Sequence, residues 1–353
     1  MILLGDSPLD LSALHTYDEL IRLLNDHAAL AAARDAFLAR QPPPPPSGAT
    51  ASVCVVFQGE RATIFDSQFD WIASDEATTC HILLLRSASR RVTSLSHLDG
   101  RGDVDVGSIV CMVRDLFRPR LADVECDALA DAELSDSFVA SVADETIDVM
   151  IVGGYCDERS LSEEISVTVL RALHELPFRF RVGLYCCSDG NSRRVPAAEH
   201  PYRFPGAGDA DVICLPRAVA LSFCPATGVA CPFVPDLPTG SVVPLATLRR
   251  AAIFAGARAQ GRTEHALQIF DRFRGLFCIP PLAFKPRQRA HAPPSDHFIR
   301  FNMSTSPLAE APTFEAHVRE SLAYLAANPD WRTAFPGLRS RLFTTTGVEI
   351  ASE

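Results

Sequence analysis

The residues most able to do chemistry together are Ser74, Cys80 and His97. Cys80 falls near the end of the polar run Ser74-Asp75-Glu76-Ala77-Thr78-Thr79-Cys80-His81, just ahead of the apolar stretch Ile82-Leu83-Leu84-Leu85. That order reads as a loop running into a strand buried on both faces, a place where a rigid element can hold a cysteine at the mouth of a pocket. A thiol acts as a nucleophile only when a base or a cation favours its thiolate. The adjacent His81 is a poor partner, because successive side chains on a strand point to opposite faces. His97 is the better base. It follows the segment Val92–Ser96, seventeen residues after Cys80. That separation suits two strands of about six residues joined by a turn at Arg86–Arg91. If the two strands pair antiparallel, His97 lies beside Cys80 across the ladder, and Asp99 is placed to orient the imidazole. The plainer readings are an inert buried thiol and a loop histidine without a role.

The neighbours of Cys80 add to this pattern. Ser74, six residues earlier, carries a hydroxyl that can accept from a histidine ring N–H or cap a turn. The successive N–H groups of Thr78, Thr79 and Cys80 can point at an oxyanion. Asp75 and Glu76 are adjacent carboxylates that either hold an ammonium group or form a solvated acidic turn. Gly153-Gly154-Tyr155 permits a tight turn or a close backbone approach, but it lacks the further glycines of a dinucleotide-binding loop. Ser304, Thr305 and Ser306, before Pro307, either line a pocket or end an extended segment.

These residues need elements to position them. Residues 15–41 carry apolar positions at helical spacing, with Thr16 or Asp18 as a cap, and the proline run Pro42–Pro46 ends that helix as a stiff spacer. Short strands follow at 52–57, 62–65, 81–85 and 92–96. The pattern then predicts a helix over 105–117, a strand at 147–152, an amphipathic helix over 160–176 and a strand at 181–187. A long loop is expected over 188–211, strands near 218–223 and 229–233, and helices over 248–256, 264–273 and 314–327. Strands and helices mix without strict alternation. The expected fold class is therefore α/β (α+β), a layered sandwich of mixed, largely antiparallel sheets flanked by helices. We divide the chain into an N-terminal helical segment (1–41), a proline-rich linker (42–50), a catalytic α/β part (51–187) and a second α/β part (188–353) packed on it.

Composition narrows the function classes. The chain has 353 residues, with 47% hydrophobic and 22% charged, ordinary for a globular protein of about two domains. Its formal net charge of -10 and the lack of a basic run argue against a nucleic-acid backbone as partner. No apolar run reaches the roughly 18 residues of a membrane helix, and the first residues lack a signal-peptide pattern. The eleven cysteines mostly flank apolar residues and form no CxxC pair, which reads as buried thiols in a reducing compartment rather than disulfides or a zinc site.

Taken together, the run 74–81, Ser96-His97-Leu98-Asp99-Gly100, Val152-Gly153-Gly154-Tyr155 with its following helix, and Ser304-Thr305-Ser306-Pro307-Leu308-Ala309-Glu310 with Phe314 and His317 resemble the protein N-terminal asparagine amidohydrolases, in the same order. The likeness runs from about Val55 to Pro329. The arrangement of Ser74, Cys80 and His97 is also similar to that of the chemotaxis-receptor glutamine deamidases and the cytotoxic necrotizing factor toxins. Val55 stands where the family typically has a tyrosine.

The resemblance implies deamidation of an N-terminal Asn side chain to Asp with release of ammonia, feeding an N-degron pathway. It implies Cys80 as nucleophile, His97 as base and Ser74 as its partner. Thr79, Ser304 and Ser306 would contact substrate, and Asp75, Glu76 or Glu310 would hold its α-ammonium. It implies no metal and no organic cofactor. The partners would be peptide or protein N-termini beginning with Asn, and downstream N-degron components, with no nucleic acid and no membrane. The expected location is the cytoplasm, or the nucleus. Two alternatives stay open: a broader Gln/Asn side-chain deamidase, and a non-catalytic module that binds N-terminal peptides.

Overall fold

The computed structural model describes residues 1–5, 7–9, 16–41, 52–118, 136–202, 211–233, 243–255, 258–259, 265–284 and 294–350. The expected Pro42–Pro46 spacer, and residues 203–210 of the expected 188–211 loop, lie outside the described residues.

Two stacked sheets and a layer of helices form the body, as the layered reading anticipates. The larger sheet has eight strands, in the order Leu267–Gln268, Glu60–Phe65, Val92–Leu98, His81–Ser87, Thr146–Val152, Arg179–Cys186, Ile2–Leu4 and Ser7–Pro8. Most of its pairs are antiparallel. The pairs of Arg179–Cys186 with Thr146–Val152 and with Ile2–Leu4, and of Leu267–Gln268 with Glu60–Phe65, are parallel. A four-stranded sheet follows the order Val229–Cys231, Leu221–Cys224, Trp71–Ser74 and Val53–Val55. Strands from either side of residue 188 share both sheets.

The large sheet is buried on both faces, which explains the unbroken apolar run after Cys80. Leu83, Leu85 and Leu98 pack against Ile109, Met112, Ile165 and Val169 of the helices Asp103–Phe117 and Leu161–Glu175. Ile82, Leu84 and Leu95 point the other way, toward Cys54, Ile72 and Leu221 of the smaller sheet. Fully burying one such side chain stabilises by about 1.5–3 kcal/mol. The second core also takes in Leu248 and Ala251 of the helix Ala246–Phe254 and Leu325 of Phe314–Ala327.

Several elements differ from expectation. The helix expected over 15–41 is two, Tyr17–Asp26 and Ala28–Leu38, because His27 is extended (ψ 119°). Thr16 caps the first helix in a reciprocal box with Glu19. Leu20, Leu24 and Leu30 face the helical layer, whereas Phe37, near the end of the second helix, enters the core between the sheets. The helix expected over 264–273 is replaced, in its described part, by the short strands Leu267–Gln268 and Phe270–Asp271. Pairing with Glu60–Arg61 and the edge-on packing of Phe270 against Phe69 and Phe277 outweigh the local helical spacing there. The expected 188–211 loop contains the 3-10 turn Ser188–Asn191 and the strand Ser192–Pro196, which pairs with Val212–Pro216.

Candidate active site

Ser74 and His97 meet across the gap between the two sheets. Ser74 ends its strand in the smaller sheet, His97 lies in Val92–Leu98 of the larger one, and Ser74 Oγ is 2.9 Å from His97 Nδ1. Both residues are buried. The imidazole's other nitrogen, Nε2, is buried without a hydrogen-bond partner among the described residues. In the ladder His97 pairs with Ile82, and His81 with Leu98. His97 therefore lies within its strand rather than after it, and the register differs by two residues from the one that sets His97 opposite Cys80. By strand alternation it shares the face of Ile82, and Cys80, two residues before Ile82, packs against the core on that same side. Asp99 does not hold the imidazole: its carboxylate accepts from Arg101 Nε at 2.6 Å and from Gln58 Nε2 at 3.5 Å.

Burial governs the titration of both groups. It pushes the Cys80 thiol well above its ordinary range, and the charges of Asp99, Asp105 and Glu310 push the same way against a hydrogen bond with Thr79. It lowers His97 to about 4, against the charges of Asp99 and Glu76. These shifts favour a thiol and a neutral imidazole at neutral pH over a thiolate–imidazolium pair.

His81 occupies the opposite face. Its Nε2 is 2.7 Å from Ser166 Oγ on the Leu161–Glu175 helix, and burial lowers it to about 4. The Gly153-Gly154 pair lies directly against this junction. A Cβ on Gly153 (φ +109°) would stand 2.5 Å from the Cys80 carbonyl oxygen, and one on Gly154 (φ +65°) 2.4 Å from His81 Cε1. The glycines are there because no side chain fits.

The late motif folds over the early one. Thr79 Oγ1 lies 3.3 Å from Thr305 Oγ1, and His317 Nδ1 is 2.7 Å from Glu76 Oε1. Ser304 Oγ hydrogen-bonds Glu310 Oε1 and accepts from Ser306 N at 2.8 Å. Arg300 fixes this loop. It pairs with Glu315 through two nitrogens and donates to the carbonyls of Pro307, Glu310 and Ala311. Glu76 has a left-handed backbone (φ 59°), uncommon for a residue with a side chain.

The three carboxyls differ in charge compensation. Burial raises Glu76, but the His317 hydrogen bond and the charges of Arg250, His317 and His97 outweigh it and hold the group below its ordinary value. Asp75 is pushed up to about 6 by burial and by Glu76, against Arg250 and His317. Glu310 is pushed up to about 7 by burial, with the Ser304 hydrogen bond opposing and Glu76 reinforcing. Among the described residues no group of three or more His, Cys, Asp or Glu is arranged to hold a metal ion, and no helix is long and apolar enough to cross a membrane.

The structure thus brings together the segments carrying Ser74, Asp75, Glu76, Thr79, Cys80, His97, Ser304, Ser306 and Glu310. Sequence reasoning assigned no role to His317, Arg250 or Arg300. Helical spacing places His317 in the turn after Phe314, but nothing local signals that it reaches Glu76, 241 residues away. Val55 is buried in its strand, and its carbonyl accepts from Arg249 at 2.9 Å, so no hydroxyl stands at that position.

A family model described as protein N-terminal asparagine amidohydrolase matches residues 46–126, 132–207 and 239–349. The protein of that name from Sus scrofa is 26% identical over 279 residues, covering 77% of this chain and 73% of its own length. The one from Arabidopsis thaliana is 25% identical over 296 residues, covering 82% and 78%. The one from Homo sapiens is 26% identical over 281 residues, covering 79% and 76%.

Proposed function

Because the chain belongs to the protein N-terminal asparagine amidohydrolase family, we propose that it hydrolyses the side-chain amide of an N-terminal Asn, giving Asp and ammonia. The observation that carries the chemistry is the Ser74–His97 hydrogen bond, which leaves a buried Nε2 open on the side of the sheet where Cys80 packs. With Nδ1–H donated to Ser74 Oγ, Nε2 carries the lone pair and can accept a proton.

In this reading the Cys80 thiol transfers its proton to His97 Nε2 as the sulfur attacks the amide carbon. The high thiol pKa favours transfer concerted with attack over a standing thiolate. Backbone N–H groups beside Cys80, with Thr79, hold the tetrahedral oxyanion. One such donor is worth about 3–4 kcal/mol of transition-state stabilisation. The C–N bond breaks, His97 returns its proton to the departing ammonia, and a thioester remains. Water, deprotonated by His97, then cleaves the thioester to the carboxylate and restores the thiol. Negative charge from Asp99 and Glu76 favours the transient imidazolium.

Among the three carboxyls, Glu310 is best suited to the substrate's α-ammonium. Glu76 is already compensated by His317 and Arg250, whereas the hydrogen bond to Glu310 Oε1 comes from the neutral Ser304 hydroxyl. Asp75 and Glu76 add negative field, and Ser304 and Ser306 shape the loop around the terminus. An acetylated terminus would leave the Glu310 carboxyl without its cation, and Gln would displace its amide carbon by roughly 1 Å, enough to spoil attack geometry. The product, an N-terminal Asp, suits entry into an N-degron pathway in the cytoplasm or nucleus.

The test is ammonia release from peptides beginning Asn, Gln, Asp and acetyl-Asn, with Cys80→Ala as control. Release from free Asn alone, absent in the variant, is expected. Release from acetyl-Asn or Gln would point instead to a broader deamidase, and none from any peptide to a binding module.

A further inference from the structure

Asn191 is fully buried at the end of the Ser188–Asn191 turn, and its side-chain amide hydrogen-bonds two distant segments. Its Nδ2 donates to the carbonyls of Gly154 (2.9 Å) and Ala218 (2.8 Å), and its Oδ1 accepts from Ala218 N at 2.8 Å. Each tied segment then supports the loop that carries Cys80. Gly153 and Gly154 press against the Cys80 carbonyl and the His81 ring. Val219, next to Ala218, accepts from Ala77 N at 2.9 Å.

We infer that Asn191 is a positioning residue for Cys80: one buried side-chain amide sets the two backbone supports on which the nucleophile's loop rests. The inference depends on Cys80 being the nucleophile. An amide is the group this site needs, because it offers two donors to two carbonyls and one acceptor to an N–H. An aspartate of the same shape would keep the bond from Ala218 N but turn an oxygen toward both carbonyls. A serine is too short to span them. Either change frees the Gly154 turn to shift, and a shift of about 1 Å at reacting atoms costs on the order of 100-fold in rate.

The experiment uses the full chain with Asn191→Asp and Asn191→Ser. It measures kcat and KM for ammonia release from an Asn-initiated peptide, together with folded fraction and thermal midpoint. Expected is a kcat lower by about 10- to 100-fold at a KM within about 2-fold of wild type, in protein that remains folded. A folded variant with wild-type kcat overturns the inference, as does a loss explained by the folded fraction. Failure of both variants to fold overturns it too, since the residue then serves the fold rather than the loop. A wild-type protein that releases no ammonia refutes the function itself, which is a separate result.

Discussion

Ser74→Ala probes the proposed mechanism at its narrowest point. Among the described residues the Ser74 hydroxyl is the one partner of His97 Nδ1, at 2.9 Å in a buried site. A buried hydrogen bond contributes about 1 kcal/mol net, and leaving its donor unpaired costs about 1–3 kcal/mol. That penalty falls on the tautomer the reaction requires, the one with the proton on Nδ1 and the lone pair on Nε2. At about 1.4 kcal/mol per tenfold, a loss near 2 kcal/mol lowers kcat roughly 30-fold. KM should change little, because Ser74 is not assigned to the substrate. The same lost bond costs about 1–2 kcal/mol of fold stability, equivalent to a few degrees at most in a chain of this size. Steady-state ammonia release gives kcat and KM, and a thermal melt gives stability. Ser74→Thr, which keeps the hydroxyl, should recover part of the rate. A Ser74→Ala protein with wild-type kcat, or one changed only in KM, would refute the assignment of His97 and Ser74.

Glu310, at about 7, should make KM rise as pH falls from 7.5 to 6.5, because protonation removes its attraction for ammonium, and Glu310→Gln should give a higher KM with a much shallower dependence over that range. A KM that rises as steeply in the substituted protein as in wild type would rule this out. His81 binds a proton near 6.5 when unfolded but only near 4 when folded, so its share of stability is full above 6.5 and is lost as pH falls toward 4. Urea midpoints at pH 7 and 4.5 should therefore differ less for His81→Gln than for wild type, and equal differences would count against a buried neutral His81. Gly153→Ala should be strongly destabilised and inactive, because its Cβ would lie 2.5 Å from the Cys80 carbonyl oxygen, whereas Gly228→Ala meets no atom within 4 Å and should cost only about 1–2 kcal/mol of backbone strain. Equal melting temperatures for those two variants would refute the close approach.

The sequence by itself determined the layered α/β class and the local ingredients of the site. Ile82-Leu83-Leu84-Leu85 shows a strand buried on both faces because its hydrophobicity is continuous, and alternation alone places His81 opposite Cys80. The seventeen-residue interval to His97 is a hairpin length, so the antiparallel pairing of the two strands is a local consequence of chain geometry. Even there the register was decided elsewhere: pairing with Thr146–Val152 and Glu60–Phe65 sets Ile82, not Cys80, opposite His97. Residues 267–268 and 270–271 became strands rather than helix because a sheet edge and a phenylalanine cluster offered more than local spacing could. The Glu76–His317 pair, the Thr79–Thr305 contact and the Asn191 ties join residues dozens to hundreds of positions apart. Side-chain chemistry makes each such bond feasible, but no periodicity specifies which partner will be met. Burial is likewise tertiary. It separates the compensated carboxylate of Glu76 from the raised carboxyl of Glu310, since desolvation depends on what packs around a group rather than on its neighbours in the chain.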